Sequence, residues 1–138
     1  MAKILIVEDN ALNVKLFCDL LAAHGHEPRP VSDGRFALEQ AREFGPDLVI
    51  TDIQLPHVTG LDLIRLIRED KALKDVPIMA VTAYAAAADE DRIRAAGAQA
   101  YVSKPISVAK FVAQVNELLG LETAGAGVRG MNPGSSPG

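Results

Sequence analysis

Leu48-Val49-Ile50-Thr51-Asp52 is an unbroken apolar and β-branched run that ends on a carboxylate, and no other stretch limits the fold as much. A run of this length bounded by turn residues reads as a strand buried on both faces, which is the habit of parallel sheets covered by helices on each side. Such a strand delivers Asp52 to the carboxyl edge of its sheet, where open α/β folds place their ligands. Taken alone, an acid in that place is a nucleophile, a metal ligand or a cap on the loop Ile53-Gln54-Leu55-Pro56. The residues brought beside it decide which.

The rest of the chain alternates in the same manner. Lys3 to Val7 reads as a strand ending in Glu8-Asp9, followed by Asn10, a good N-cap, and a helix from Ala11 to His24. That helix carries Leu16, Phe17, Leu20 and Leu21 on one face with Val14 and Cys18 on its shoulder. The arc is wider than one sheet contact needs, so it is either a broad core contact or a surface that also docks a partner. Glu27-Pro28-Arg29-Pro30-Val31 reads as a strand with two prolines, which cannot donate to a ladder and belong at an edge. A second helix is expected from Arg35 to Phe44, burying Phe36, Ala37, Leu38, Ala41 and Phe44, and a third from Leu61 to Glu69, burying Leu61, Leu63, Ile64, Leu66 and Ile67. Ile78 to Val81 makes the fourth strand, closed by Thr82. The following helix, about Ala86 to Ala96, offers only Ile93 as a large apolar residue and is expected to be the most mobile. Gln99 to Ser103 is a short strand containing Tyr101, and Lys104-Pro105 follows it. Ser107 caps a last helix whose stripe is Val108, Phe111, Val112, Val115, Leu118 and Leu119.

Five strands alternating with five helices imply a doubly wound parallel α/β sheet joined by right-handed crossovers. The prolines put strand 2 at an edge, which suits the order 2-1-3-4-5. Strands 1 and 3 are then neighbours at the point where the winding reverses. The domain is expected to occupy residues 1–120. Residues 121–138, dominated by Gly, Ala, Ser and Pro, are expected to be a disordered tail, a linker or an expression remnant. The 138 residues suffice for one core, and the excess of 18 acidic over 14 basic residues argues against a nucleic-acid surface. No secretory leader and no bilayer-length apolar run is visible, so a soluble cytoplasmic protein is expected. Cys18, the one cysteine, excludes an internal disulfide and reads as an apolar filler. His24, His26 and His57 are assigned to the surface rather than to a metal site.

The strand ends make a consistent set: Glu8 and Asp9 from strand 1, Asp52 from strand 3, Thr82 from strand 4 and Lys104 from strand 5. Crowded carboxylates repel, by about 4 kcal/mol for a pair 4 Å apart at an effective dielectric near 20. A proton or a cation must relieve this, and oxygen ligands suit a hard ion such as Mg²⁺. Lys104 is placed to pair with Asp52 or with an incoming phosphoryl oxygen, and Thr82 offers a hydroxyl to the same group. This suits phosphoryl transfer to Asp52. Two other readings stay open: a Mg²⁺-binding interaction scaffold that works without phosphorylation, and an aspartate-nucleophile phosphatase. The second lacks the acid usually found two residues beyond the nucleophile, because Gln54 stands there. A nucleotide-binding fold is disfavoured, since no glycine-rich phosphate loop follows the first strand.

Ile6-Val7-Glu8-Asp9-Asn10, Ile50-Thr51-Asp52-Ile53-Gln54-Leu55-Pro56, Gly60, Thr82-Ala83 and Lys104-Pro105 together resemble the motifs of response-regulator receiver domains, from about Lys3 to Leu119. The resemblance implies the flavodoxin-like strand order inferred above and a role in phosphorelay signalling rather than catalysis for its own sake. It implies that Asp52 accepts a phosphoryl group from a histidine kinase or phosphotransfer protein. Asp9, Asp52 and the backbone carbonyl of Gln54 would bind Mg²⁺, with Glu8 assisting through water. Thr82 and Lys104 would hold the phosphoryl oxygens, Tyr101 would be the switch aromatic, and Lys104-Pro105 would be cis. A Thr82/Tyr101-coupled surface change would then signal to a downstream protein partner. Within the family, Val7-Glu8-Asp9-Asn10, Asp52-Ile53-Gln54-Leu55-Pro56, Ala80-Val81-Thr82-Ala83 and Ser103-Lys104-Pro105-Ile106-Ser107-Val108 look like the single-domain regulators of the bacterial cell cycle and cell polarity.

Overall fold

The computed structural model describes residues 2–83 and 87–120. The expected tail at 121–138 and the first residue of the predicted fourth helix, Ala86, lie outside the described residues. The elements are β1 (Lys3–Val7), α1 (Ala11–Ala23), β2 (Glu27–Val31), a 3₁₀ turn (Gly34–Phe36), α2 (Ala37–Phe44), β3 (Leu48–Asp52), α3 (Gly60–Glu69), β4 (Ile78–Thr82), α4 (Ala87–Ala96), β5 (Ala100–Ser103) and α5 (Val108–Leu118). All strand pairs are parallel and the order is β2-β1-β3-β4-β5. β2 is the edge that its prolines require, with Pro28 and Pro30 opposite Ile4 and Ile6.

The two faces of the sheet make two cores, because successive strand side chains point to opposite sides. Leu5, Val7, Val49, Ile78 and Ala80 meet Ala41 of α2, Ile64 and Ile67 of α3, and Ile93 of α4. Ile4, Ile6, Leu48, Ile50, Met79 and Val81 meet Phe17 and Leu21 of α1 and Phe111 and Val115 of α5. The Phe17 and Phe111 rings stack at 5.1 Å between centroids and join α1 to α5. Every residue of β3 is buried, as its apolar run predicts.

Local chemistry starts and stops the helices. Asn10 Oδ1 accepts the Leu12 and Asn13 N–H groups at 3.0 and 3.1 Å, and the Thr59 hydroxyl accepts the Asp62 N–H at 3.1 Å. Gly45, at φ 65°, ends α2 in the left-handed conformation that a side chain would disfavour.

Some expected core residues lie outside. Leu16 of α1, Phe36, Leu66 of α3 and Val108 of α5 are exposed, as is Leu12 of α1. Phe36 turns out because the chain opens with a 3₁₀ turn, which rotates it away from the face shared by Ala37, Ala41 and Phe44. Leu16 and Leu66 sit on the far edges of arcs wider than the sheet can cover. The surface assignment of His26 is also corrected. It is buried beside α5, whereas His24 and His57 are exposed as expected. Its neighbour Gly25 turns the chain back, and the His26 N–H bonds the Leu21 carbonyl at 3.0 Å, which carries the ring under the domain.

Candidate functional site

The carboxyl ends of β1, β3, β4 and β5 converge on one rim. Glu8, Asp52 and Thr82 are buried there, Asp9 is exposed and Lys104 is half-buried. Lys104 Nζ donates to Asp52 Oδ2 at 2.9 Å and lies 3.5 Å from Glu8 Oε1. The second Asp52 oxygen accepts the Gln54 N–H at 3.0 Å. Glu8 Oε2 accepts the Asn10 N–H at 3.0 Å, but Oε1 is buried without a hydrogen bond. Glu8, Asp9 and Asp52 each offer a carboxylate oxygen, all within 4.8 Å of one another.

The backbone explains how these groups are delivered. The Lys104 N–H bonds the Thr82 carbonyl at 2.8 Å, and the Ile53 N–H bonds the Val81 carbonyl at 3.0 Å, so the ladder continues past the strand ends. The Lys104-Pro105 peptide is cis. Gly60 starts α3 directly against β3: a Cβ there would lie 2.2 Å from the Asp52 carbonyl oxygen and 2.6 Å from Ile53 Cα. Glycine is required by contact rather than by φ, and it seats the first turn of α3 under the acidic rim.

Electrostatics follow from burial. Loss of solvent is the largest influence on Glu8, and together with the nearby Asp52 charge it raises the carboxyl above its ordinary pKa, against the Asn10 N–H and Lys104. Burial opposes the charge on Lys104, but its bonds to Asp52 and its proximity to Glu8 prevail and keep it above the ordinary lysine value. One lysine for several carboxylates leaves the rim short of positive charge. The orphaned Glu8 oxygen and an all-oxygen donor set fit a small hard divalent cation.

All the strand-end residues expected from sequence are therefore on this rim. Tyr101 is not among them. It is half-buried on β5, on the same sheet face as Thr82 and one pleat further from the rim, since Ala80 pairs with Tyr101 and Thr82 with Ser103. Its hydroxyl donates to Glu90 Oε1 on α4 at 3.1 Å. The sequence reading missed Glu90 and Arg94 altogether. Their i,i+4 spacing on a helix poor in apolar residues was the available signal.

The family model for the response regulator receiver domain matches residues 4–116. The chain belongs to the response-regulator receiver family. It is 49% identical over 117 residues to the polar-differentiation response regulator DivK of Brucella ovis and of Brucella anthropi, covering 85% of this chain and 95% of each relative. Among solved structures, the chemotaxis response regulator CheY4 of Vibrio cholerae superposes with a TM-score of 0.81 at 26% identity, covering 86% of this chain and 98% of that one. The receiver domain of sensor histidine kinase PA1611 from Pseudomonas aeruginosa, solved with magnesium coordinated in its active-site cleft, gives 0.80 at 31% identity with the same coverage. This receiver domain acts in phosphorelay signalling, and that role calls for a phosphodonor protein and a downstream protein. No described helix is long and apolar enough to cross a membrane.

Proposed function

We propose that this receiver accepts its phosphoryl group on Asp52 from a histidine kinase or phosphotransfer protein and passes the signal on through Thr82 and Tyr101. The observation that carries the assignment is the Lys104–Asp52 bond at 2.9 Å inside a rim where Glu8 and Asp9 crowd the same carboxylate. Asp52 takes the shorter of the two Lys104 contacts, 2.9 Å against 3.5 Å for Glu8, and its other oxygen accepts the Gln54 N–H.

In the transfer, an Asp52 oxygen forms the new P–O bond as the donor's P–N bond breaks, and the leaving imidazole takes up a proton. Lys104, already on Asp52, stays within reach of the phosphoryl oxygens, and the buried Thr82 hydroxyl offers a further donor from the end of β4. Asp9, Asp52 and the Gln54 carbonyl would hold Mg²⁺, with Glu8 acting through water. The ion, when bound, would neutralise part of the charge that the phosphoryl group adds to an already acidic rim. The phosphorylated side chain carries up to about two negative charges and three acceptor oxygens. Attraction of Thr82 toward them would leave room for Tyr101, on the same sheet face, to turn inward and alter the surface around α4 and β5.

The likeness to DivK supports a place in bacterial polarity or cell-cycle control, and the lack of a membrane-length described helix agrees with work in the cytoplasm. The test is incubation with a small acyl phosphate and Mg²⁺, followed by peptide mass spectrometry. Label is expected on Asp52 and absent from Asp52→Asn. Label elsewhere, or fast phosphate release without any labelled protein, overturns the assignment.

A further inference from the structure

Tyr101 is tied to α4 by more than one bond. Glu90 takes the tyrosine hydroxyl on Oε1 at 3.1 Å and the Arg94 Nε on Oε2 at 2.9 Å. Arg94 Nη1 donates to the Gln99 carbonyl at 3.0 Å, just before β5, and its guanidinium carbon stands 5.8 Å from the Tyr101 ring centre. One carboxylate thus joins the ring to the helix, and an arginine one turn further joins the helix back to the strand that carries the ring. A pair that served only the helix would not include the tyrosine or the Gln99 carbonyl.

The rest of α4 is lightly held. Among its described side chains only Ile93 and Ala96 are buried. The helix also has space on two sides. A cavity of about 320 Å³ opens beside Tyr101, lined by Arg94, Ser103, Ser107, Lys110 and Gln114. A second, of about 100 Å³, separates Arg92 and Ile93 from Gln54, Leu61 and Thr82 at the acidic rim. An element with few apolar anchors, beside two open clefts, can take more than one position, and its polar anchors then decide which.

We propose that Glu90 is a positioning residue: with Arg94 it clasps the Tyr101 hydroxyl, fixes α4 between the two cavities while Asp52 is unphosphorylated, and lets go when Asp52 is phosphorylated. The first half stands on these contacts alone, and the release step rests on the proposed function above. Coupling is reciprocal, so whatever the clasp contributes to the resting arrangement opposes the phosphorylated one. Removing it brings α4 of the unphosphorylated protein partway to its signalling state.

The experiment uses the full chain with ¹³Cζ-labelled tyrosine and amide hydrogen exchange. The chain has two tyrosines, and Tyr101→Phe assigns the resonance. Glu90→Ala and Tyr101→Phe are each expected to quicken exchange across Ala87–Ala96 by about fivefold, the scale of one ordinary hydrogen bond, with helix content unchanged. Glu90→Gln keeps an acceptor for the hydroxyl but loses the ion pair, so the Tyr101 resonance should shift less than in Glu90→Ala while exchange still quickens. Unchanged α4 exchange in Glu90→Gln and Tyr101→Phe overturns the clasp even if Glu90→Ala fails to fold. With acyl phosphate and Mg²⁺, the wild-type Tyr101 resonance should move toward its position in Glu90→Ala. Asp52 labelling with an unmoved Tyr101 resonance overturns the release step and leaves the phosphoacceptor assignment standing. Failure of labelling removes that assignment, and the exchange result alone then decides the clasp.

Discussion

Glu8→Gln weighs the electrostatics of the acidic rim most directly. The carboxylate is 1% exposed, and one of its oxygens has no hydrogen bond. At an effective dielectric near 20, repulsion from Asp52, whose oxygen lies within 4.8 Å, amounts to at least about 3.5 kcal/mol, and attraction to Lys104 at 3.5 Å to about 4.7 kcal/mol. Asp9 adds repulsion, much weakened because it is exposed. These opposing influences nearly cancel, so the loss of solvent decides the sign, and it is also the main reason the Glu8 pKa is raised. An amide of the same shape escapes most of that cost. In EDTA at pH 7.5 the variant should be more stable by about 1–2 kcal/mol, on the scale of one poorly satisfied buried polar group. For a domain of this size that is roughly 3–8 °C in Tm. A carboxyl with a raised pKa carries no penalty below its unfolded value, 4.5, and the full penalty above its folded value. The gap between the proteins should therefore close as pH falls toward 4.5. Magnesium should work the other way. At 100 times its Kd an ion stabilises by about 2.7 kcal/mol, and the neutral variant should gain less than the wild type. Calorimetry at two pH values, with and without Mg²⁺, gives every quantity. A lower Tm for Glu8→Gln in EDTA at pH 7.5, or equal gains from Mg²⁺, refutes the reasoning.

Further outcomes follow from particular contacts. Lys104→Ala removes the cation 2.9 Å from Asp52 and should slow acyl-phosphate labelling by at least about tenfold, read by mass spectrometry against time. Gly60→Ala drives a Cβ into the Asp52 carbonyl and should cost about 2–3 kcal/mol, read from the denaturation midpoint. Burial chiefly, with the charge of His24, lowers the His26 pKa, while Asn116 pulls the other way. Its contribution is thus fully present above the ordinary 6.5 and lost as pH falls below it, and His26→Leu should flatten the decline of Tm between pH 6.5 and 5.

The alternation of apolar runs and turn residues was enough to place each strand, and two prolines in Glu27–Val31 were enough to put β2 at an edge. The rim was equally legible, because a polar residue that ends a buried strand has nowhere to go but the carboxyl edge. Packing depth was not. Phe36 and Leu66 carry the same hydrophobicity as their buried neighbours, and only the 3₁₀ turn and the curvature of the layers set them outside. His26 shows the reverse error: a polar ring two residues past a helix end looks exposed until the chain is seen to fold it beneath α5.

The chain's own order of residues determined what is local or periodic: which segments are strands, which face each buries, and which side chains stand at strand ends. Those properties depend on backbone sterics and on the alternation of side chains, both of which act over a few residues. Tertiary structure alone decided distances between segments far apart in the chain. It brought Lys104 onto Asp52, left one Glu8 oxygen without a donor, and set Glu90 and Arg94 around Tyr101. Such contacts depend on how two layers of helices settle on a twisted sheet, and no short-range pattern records that.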